Sequence, residues 1–192
     1  MLHVITGPMF SGKSTELARH IERQERAGKR VAIFVPSLDN RYDASGASLS
    51  THSGLRRDGI PLDRSRRLPD ELQAHADTIR HADVIVFDEG NFFLGLRDAA
   101  LHLVETQHKH VIVAGLALDD RRRPFGDMES LVSVATKVQR LRAVCSCQSD
   151  DALFSARIEV QDLPLDASQT SVGGAEKYVA LCRACYVKHY GL

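Results

Sequence analysis

The chain has no tryptophan, and aromatic residues make up only 6% of its 192 positions. Stacking of bases on aromatic side chains is therefore a poor candidate for its main work. Net charge is missing too: 25 Lys and Arg are balanced by 25 Asp and Glu. That argues against a broad basic surface for nucleic acid and leaves room only for a local patch. No run of about 18 or more apolar residues occurs, so no membrane-spanning helix is expected. No basic segment with an apolar stretch behind it precedes the first motif, so no secretory leader is expected and a cytoplasmic protein is. Cysteine is absent from the first 144 residues. The four present, Cys145, Cys147, Cys182 and Cys185, form two close pairs in the last quarter. Disulfides are unusual in the cytosol, so metal binding is the better reading of that clustering.

The N-terminal stretch is rich in information. Residues 2–6, LHVIT, are a short apolar run with β-branched members. Next comes Gly7-Pro8-Met9-Phe10-Ser11-Gly12-Lys13-Ser14, a match to G-x-x-x-x-G-K-[ST]. The following KSTELARHIERQERAG has a helical pattern, with Leu17 and Ile21 on one side and Gly28 as a stop. RVAIFV (30–35) then reads as a buried parallel strand. Strand, Gly-rich turn, helix and strand make a βαβ unit, the setting in which the motif binds a triphosphate. Loop amides and the helix dipole hold phosphate oxygens. Lys13 reaches the β- and γ-phosphates, and the Ser14 hydroxyl is a ligand for Mg²⁺.

Further along, 37–68 is polar and without periodicity, a long loop of the functional or mobile kind. Residues 69–82 read as one helix, 83–89 as a buried strand, 94–107 as a helix and 110–118 as another strand. Residues 130–143 read as partly helical, and 158–179 show alternation and turn residues. The fold expected is α/β: a P-loop parallel sheet of roughly four to six strands with helices on both faces. A division is expected at 143/144, with a nucleotide-binding domain over 1–143 and a small cysteine-bearing module over 144–192.

Asp88-Glu89 closes an apolar strand. Ligands of open α/β sheets sit at the carboxyl ends of strands. Two acids there make poor core residues, because unpaired buried charge is costly. Asp88 suits the Mg²⁺ shell, and Glu89 suits a general base for water or a substrate hydroxyl. The cysteines suit a four-ligand Zn²⁺ site with two thiolates from each pair. Cys182-Arg-Ala-Cys185 has the favoured spacing. Cys145-Ser-Cys147 is one residue tighter, and His189 is an alternative ligand to Cys147.

Seven segments in order carry a resemblance: GPMFSGKSTEL, AGKRV, P-x-x-D-x-R-Y (Pro36, Asp39, Arg41, Tyr42), DEGNFF, AGL with RPFG, GGAEKY and the terminal CRACY. Together, over about residues 2–188, they resemble the type II thymidine kinases, a small zinc-containing family. The resemblance implies transfer of the ATP γ-phosphoryl to the 5′-hydroxyl of thymidine. It implies Glu89 as the catalytic base and Asp88 as the acid of the Mg²⁺ shell. ATP binding falls on Gly7 to Ser14, Asp39, Arg41, Asp88 and Asn91. Nucleoside binding falls on Met9, Leu116, Asp120, Phe125, Ser155, Val172, Gly173 and Tyr178, the last four on or beside a closing lasso loop anchored by the ribbon-like zinc module. A homotetramer and feedback inhibition by thymidine triphosphate are implied as well, with no nucleic-acid or membrane partner.

Some positions depart from the family pattern. Asn91 stands for the usual Gln, Ala117 for an Asp, Asp120 for an aromatic near the base, and Gln148 for the second cysteine of the first pair. A P-loop ATPase or nucleotide sensor with an altered nucleoside pocket is the alternative these departures raise. A zinc-ribbon adaptor for nucleic acid is a weaker one.

Overall fold

A computed structural model describes residues 1–37, 48–50, 56–159 and 177–192. Its framework is a six-stranded sheet ordered β5-β2-β6-β7-β1-β8. The strands are β1 (Leu2–Thr6), β2 (Val31–Ser37), β5 (Ile60–Asp63), β6 (Val84–Phe87), β7 (His110–Gly115) and β8 (Lys137–Arg140). Every neighbouring pair is parallel. Parallel strands are covered on both faces, which is why β1, β2, β6 and β7 read as nearly unbroken apolar runs.

Alternate residues of these strands feed two separate cores. On one face Ile5, Ile33, Val35, Val84, Val86, Ile112 and Ala114 pack under Leu17, Ala18 and Ile21 of α1 (Lys13–Arg26). On the other, Val4, Phe34, Phe87 and Val113 meet α2 (Leu68–Gln73), α3 (Ala76–His81), α4 (Leu96–Leu101) and α5 (Met128–Val134). Helices thus lie on both faces, as expected.

Four regions differ from the sequence reading. The helix expected over 69–82 is two, α2 and α3, interrupted at His75, whose ring sits 5.7 Å from that of Phe34. The polar stretch 37–68 contains the short antiparallel pair β3 (Ser48–Ser50) and β4 (Arg56–Asp58), and also edge strand β5. Pro61 is tolerated in β5 because an edge strand has an unpaired side. Residues 137–140, read as partly helical, form the opposite edge strand β8, whose side chains are mostly exposed. The helix expected over 94–107 runs as α4 and continues as a wider π turn, His102–Thr106.

A smaller unit completes the described chain. Strands β9 (Phe154–Arg157) and β10 (Tyr178–Leu181) pair antiparallel, and α6 (Arg183–Tyr190) follows. Ala143, Cys145, Ala152, Phe154, Ala156, Ala180, Leu181 and Tyr186 form its core.

Candidate active site

The register of the central strands sets the site. β6, β7 and β1 are neighbours, with Phe87 level with Val113, and Thr6 level with Gly115. Asp88-Glu89 therefore continues β6 toward the level at which β1 enters the phosphate loop and β7 enters residues 116–125. All three chain segments leave the sheet at its carboxyl end, where α/β sheets bind ligands.

The loop of residues 7–14 demands two glycines. A Cβ on Gly7 would lie 2.7 Å from both the Leu141 carbonyl oxygen and Ser11 Oγ. Gly12 has φ 81°, a left-handed conformation, and starts α1. Phe10 is also left-handed, at φ 65°. Lys13 Nζ donates to the Pro8 carbonyl at 2.8 Å, so the lysine arches back over the loop. Burial pushes its pKa below the ordinary lysine value, against the opposing charges of Glu89 and Asp88. Burial, and then the Glu89 charge, push Asp88 up to about 7. Ammonium and carboxylate are thus both driven toward neutrality by burial. Phosphate oxygens and a cation are the partners that would restore their charges.

Glu89 adopts φ 50°, rare for a residue with a side chain. Strain of this kind costs about 1–3 kcal/mol and collects at functional sites. Its N–H donates to Asp88 Oδ1 at 3.0 Å, which holds the Asp88 carboxylate against the Glu89 backbone. Two residues on, the buried Asn91 accepts the Leu116 N–H through Oδ1 at 2.9 Å. Its Nδ2 is buried without a partner among the described residues. Asn91 thereby sets the backbone of Leu116. Phe125 is buried, and its ring meets Phe92 edge-on at 5.4 Å.

Of the residues singled out in the sequence, Met9 and Ser155 are joined directly: the Met9 N–H donates to Ser155 Oγ at 2.9 Å. The phosphate loop is thus tied to β9. Asp120 turns its carboxylate to Arg157 of β9, with Oδ2 accepting from Nε at 2.7 Å. Tyr178 lies beside the same arginine, 5.4 Å from its guanidinium carbon. Asp39, Arg41, Val172 and Gly173 lie outside the described residues. Arg157 was not singled out from the sequence. Its alternation with Ser155 along one strand, which puts both on one face, is the signal that could have found it.

The four cysteines converge, with all their sulfurs within 4.8 Å of one another. The short Cys145-Ser-Cys147 spacing works because the chain tightens there. Gln148 takes φ 68° and its N–H donates to the Cys145 carbonyl at 2.8 Å. Cys147 Sγ comes within 3.9 Å of Cys182 Sγ, and the Cys182 N–H donates to Cys145 Sγ at 3.2 Å. Burial opposes ionisation of Cys145, but hydrogen bonds from Cys147 and Cys182 outweigh it and bring its thiol down to about 6. Sulfurs this close share either protons or a metal cation, and four of them suit a tetrahedral metal site. His189 is not part of the group: its Nε2 is 2.7 Å from the Arg157 carbonyl oxygen, to which it donates.

Comparison with known proteins agrees with this arrangement. A family model described as thymidine kinase matches residues 1–186. A thymidine kinase of Pyrobaculum aerophilum is 40% identical over 191 residues, covering 97% of this chain and 98% of that protein. The chain belongs to the thymidine kinase family.

Proposed function

We propose that the protein transfers the γ-phosphoryl group of ATP to the 5′-hydroxyl of thymidine, giving ADP and thymidine monophosphate. One observation carries most weight. The strand end bearing Asp88 and Glu89 adjoins the phosphate loop, and that loop is hydrogen-bonded through Met9 to Ser155 of the small C-terminal unit. Donor and acceptor sides of a phosphoryl transfer are thereby held together.

Lys13 and the amides of residues 7–14 hold the phosphates and neutralise charge on the transferred group. Asp88 and Ser14 would hold Mg²⁺, which supplies positive charge to the phosphate oxygens. Glu89 accepts the 5′-hydroxyl proton as the new P–O bond forms and the bond to the ADP oxygen breaks. Met9, Leu116, Phe125, Ser155 and Tyr178 border the nucleoside, and Asn91 positions Leu116. Cys145, Cys147, Cys182 and Cys185 would hold a structural Zn²⁺, since a closed set of four thiolates suits that ion.

The functional division is placed near 143/144, with the acceptor-closing unit on its C-terminal side. Assembly as a homotetramer in the cytoplasm and inhibition by thymidine triphosphate complete the proposal. No helix among the described residues is long and apolar enough to cross a membrane. ADP release from ATP, measured with a panel of pyrimidine nucleosides, tests the reading. Thymidine should stimulate it most. ADP release indifferent to every nucleoside would refute a kinase and leave an ATPase.

A further inference from the structure

Asp119 and Asp120 are both buried, although they lie in a loop flanked by three arginines. Asp119 organises the loop itself. Its Oδ1 accepts the N–H groups of Arg121 and Arg123, each at 2.9 Å, and its Oδ2 accepts Arg123 Nε at 2.8 Å. Asp120 points elsewhere. Its carboxylate is 3% exposed and pairs with Arg157, whose side chain is 12% exposed. An ion pair so enclosed is costly to desolvate and therefore weak as a source of stability. What it supplies is direction: a charged hydrogen bond between two rigid partners admits few alternative geometries.

The same contact region is fastened at other points. Tyr186 of α6 donates its hydroxyl to the Asp120 carbonyl at 2.8 Å. The Arg122 guanidinium carbon lies 4.5 Å from the centre of the Tyr186 ring. Leu118 packs on the core of the C-terminal unit. From β9, Ser155 reaches the phosphate loop and Arg157 reaches Asp120. These residues are two apart on one strand and so share a face. Arg157 is also paired in register with Tyr178 of β10 and lies against its ring.

We propose that Asp120 and Arg157 are a positioning pair for the nucleoside side of the reaction. The pair locks the loop bearing Leu116 and Phe125 to β9, and β9 holds that loop at a set distance from the phosphate loop. Neither residue touches the reacting atoms. Losing the pair lets the acceptor loop drift while leaving the ATP loop in place. This rests on the kinase reading above, and the test separates the two.

The variants are Asp120→Asn, Arg157→Gln and both together, with Arg142→Gln as control for an exposed ion pair, that of Arg142 with Asp151. Each single variant should raise the thymidine KM about tenfold or more, the scale of one lost charge-assisted hydrogen bond. The ATP KM should stay within about twofold. The double variant should be no worse than the poorer single, because the residues act as a unit. The control should match the wild type. Hydrogen exchange of amides 116–125, measured without substrates, should quicken in both singles and not in the control. Parallel increases in both KM values, multiplying defects in the double variant, or unchanged exchange would overturn the proposal. A wild type without thymidine-dependent turnover would defeat the kinase reading alone, and the exchange result would still decide whether the pair holds the loop.

Discussion

At the scale of single residues, Glu89 is the sharpest case. Its left-handed backbone is a cost that neighbouring contacts must sustain, and its position after Asp88 is what makes it useful. Replacing Glu89 with Gln keeps the size and removes the base. We expect kcat to fall by about 10²-fold or more, with the ATP KM little changed. Near-normal turnover in steady-state assays would rule out Glu89 as the base. Residues 7–14 and 88–89 were legible in the sequence because each set is consecutive and sits at a recognisable strand end. Arg157 was not. It meets Asp120 across 37 positions of chain, and no spacing rule connects them. Asp120, taken alone, reads as a charge placed near the base. With its partner in view, it is half of an enclosed ion pair.

At the scale of elements, legibility followed burial. β1, β2, β6 and β7 are covered on both faces and stand out as apolar runs, whereas β5 and β8 lie at the sheet edges and carry little apolar signal. The break between α2 and α3 falls where His75 lies 5.7 Å from the ring of Phe34, a residue far off in the chain, and no Gly or Pro marks it locally. The cysteine unit was legible in composition but not in detail. Its first pair is one residue short, and Gln148 takes a left-handed turn that brings Cys147 in. We predict about one Zn²⁺ per chain by metal analysis of the purified protein. Cys147→Ser should lower that occupancy markedly and reduce Tm, since structural zinc contributes folding free energy directly. Gln148→Cys added to Cys147→Ser offers a thiolate at the longer spacing and should recover part of the metal. Full zinc content in Cys147→Ser would show that Cys147 is not a ligand.

At the scale of the whole molecule, one part of the pH dependence of stability lies with His3 of β1 and His110 of β7. His3 is buried, its ring edge-on to His20 of α1 at 4.6 Å, and its Nε2 has no partner among the described residues. Burial, and then the neighbouring charges of His20, Lys137 and His110, bring its pKa down to about 4, against a smaller opposing pull from Glu16. Burial lowers His110 as well. A histidine whose folded pKa lies below its unfolded value keeps the fold stable above the unfolded pKa, about 6.5. That stability is lost as pH falls from there toward 4. The full His3 effect is on the order of 3 kcal/mol, a large share of a typical folding free energy of about 5–15 kcal/mol. Asp88 acts in the opposite sense, because its raised pKa makes protonation on acidification favour the folded state. The two effects overlap between about pH 7 and 4, so the wild-type curve alone cannot separate them. The difference between the wild type and His3→Leu can, because Asp88 is common to both. We expect Tm to fall less steeply from pH 7 to 4.5 in His3→Leu than in the wild type, whatever their offset at pH 7. Parallel Tm curves for the two proteins over that range would mean that His3 is not the group whose protonation the fold resists.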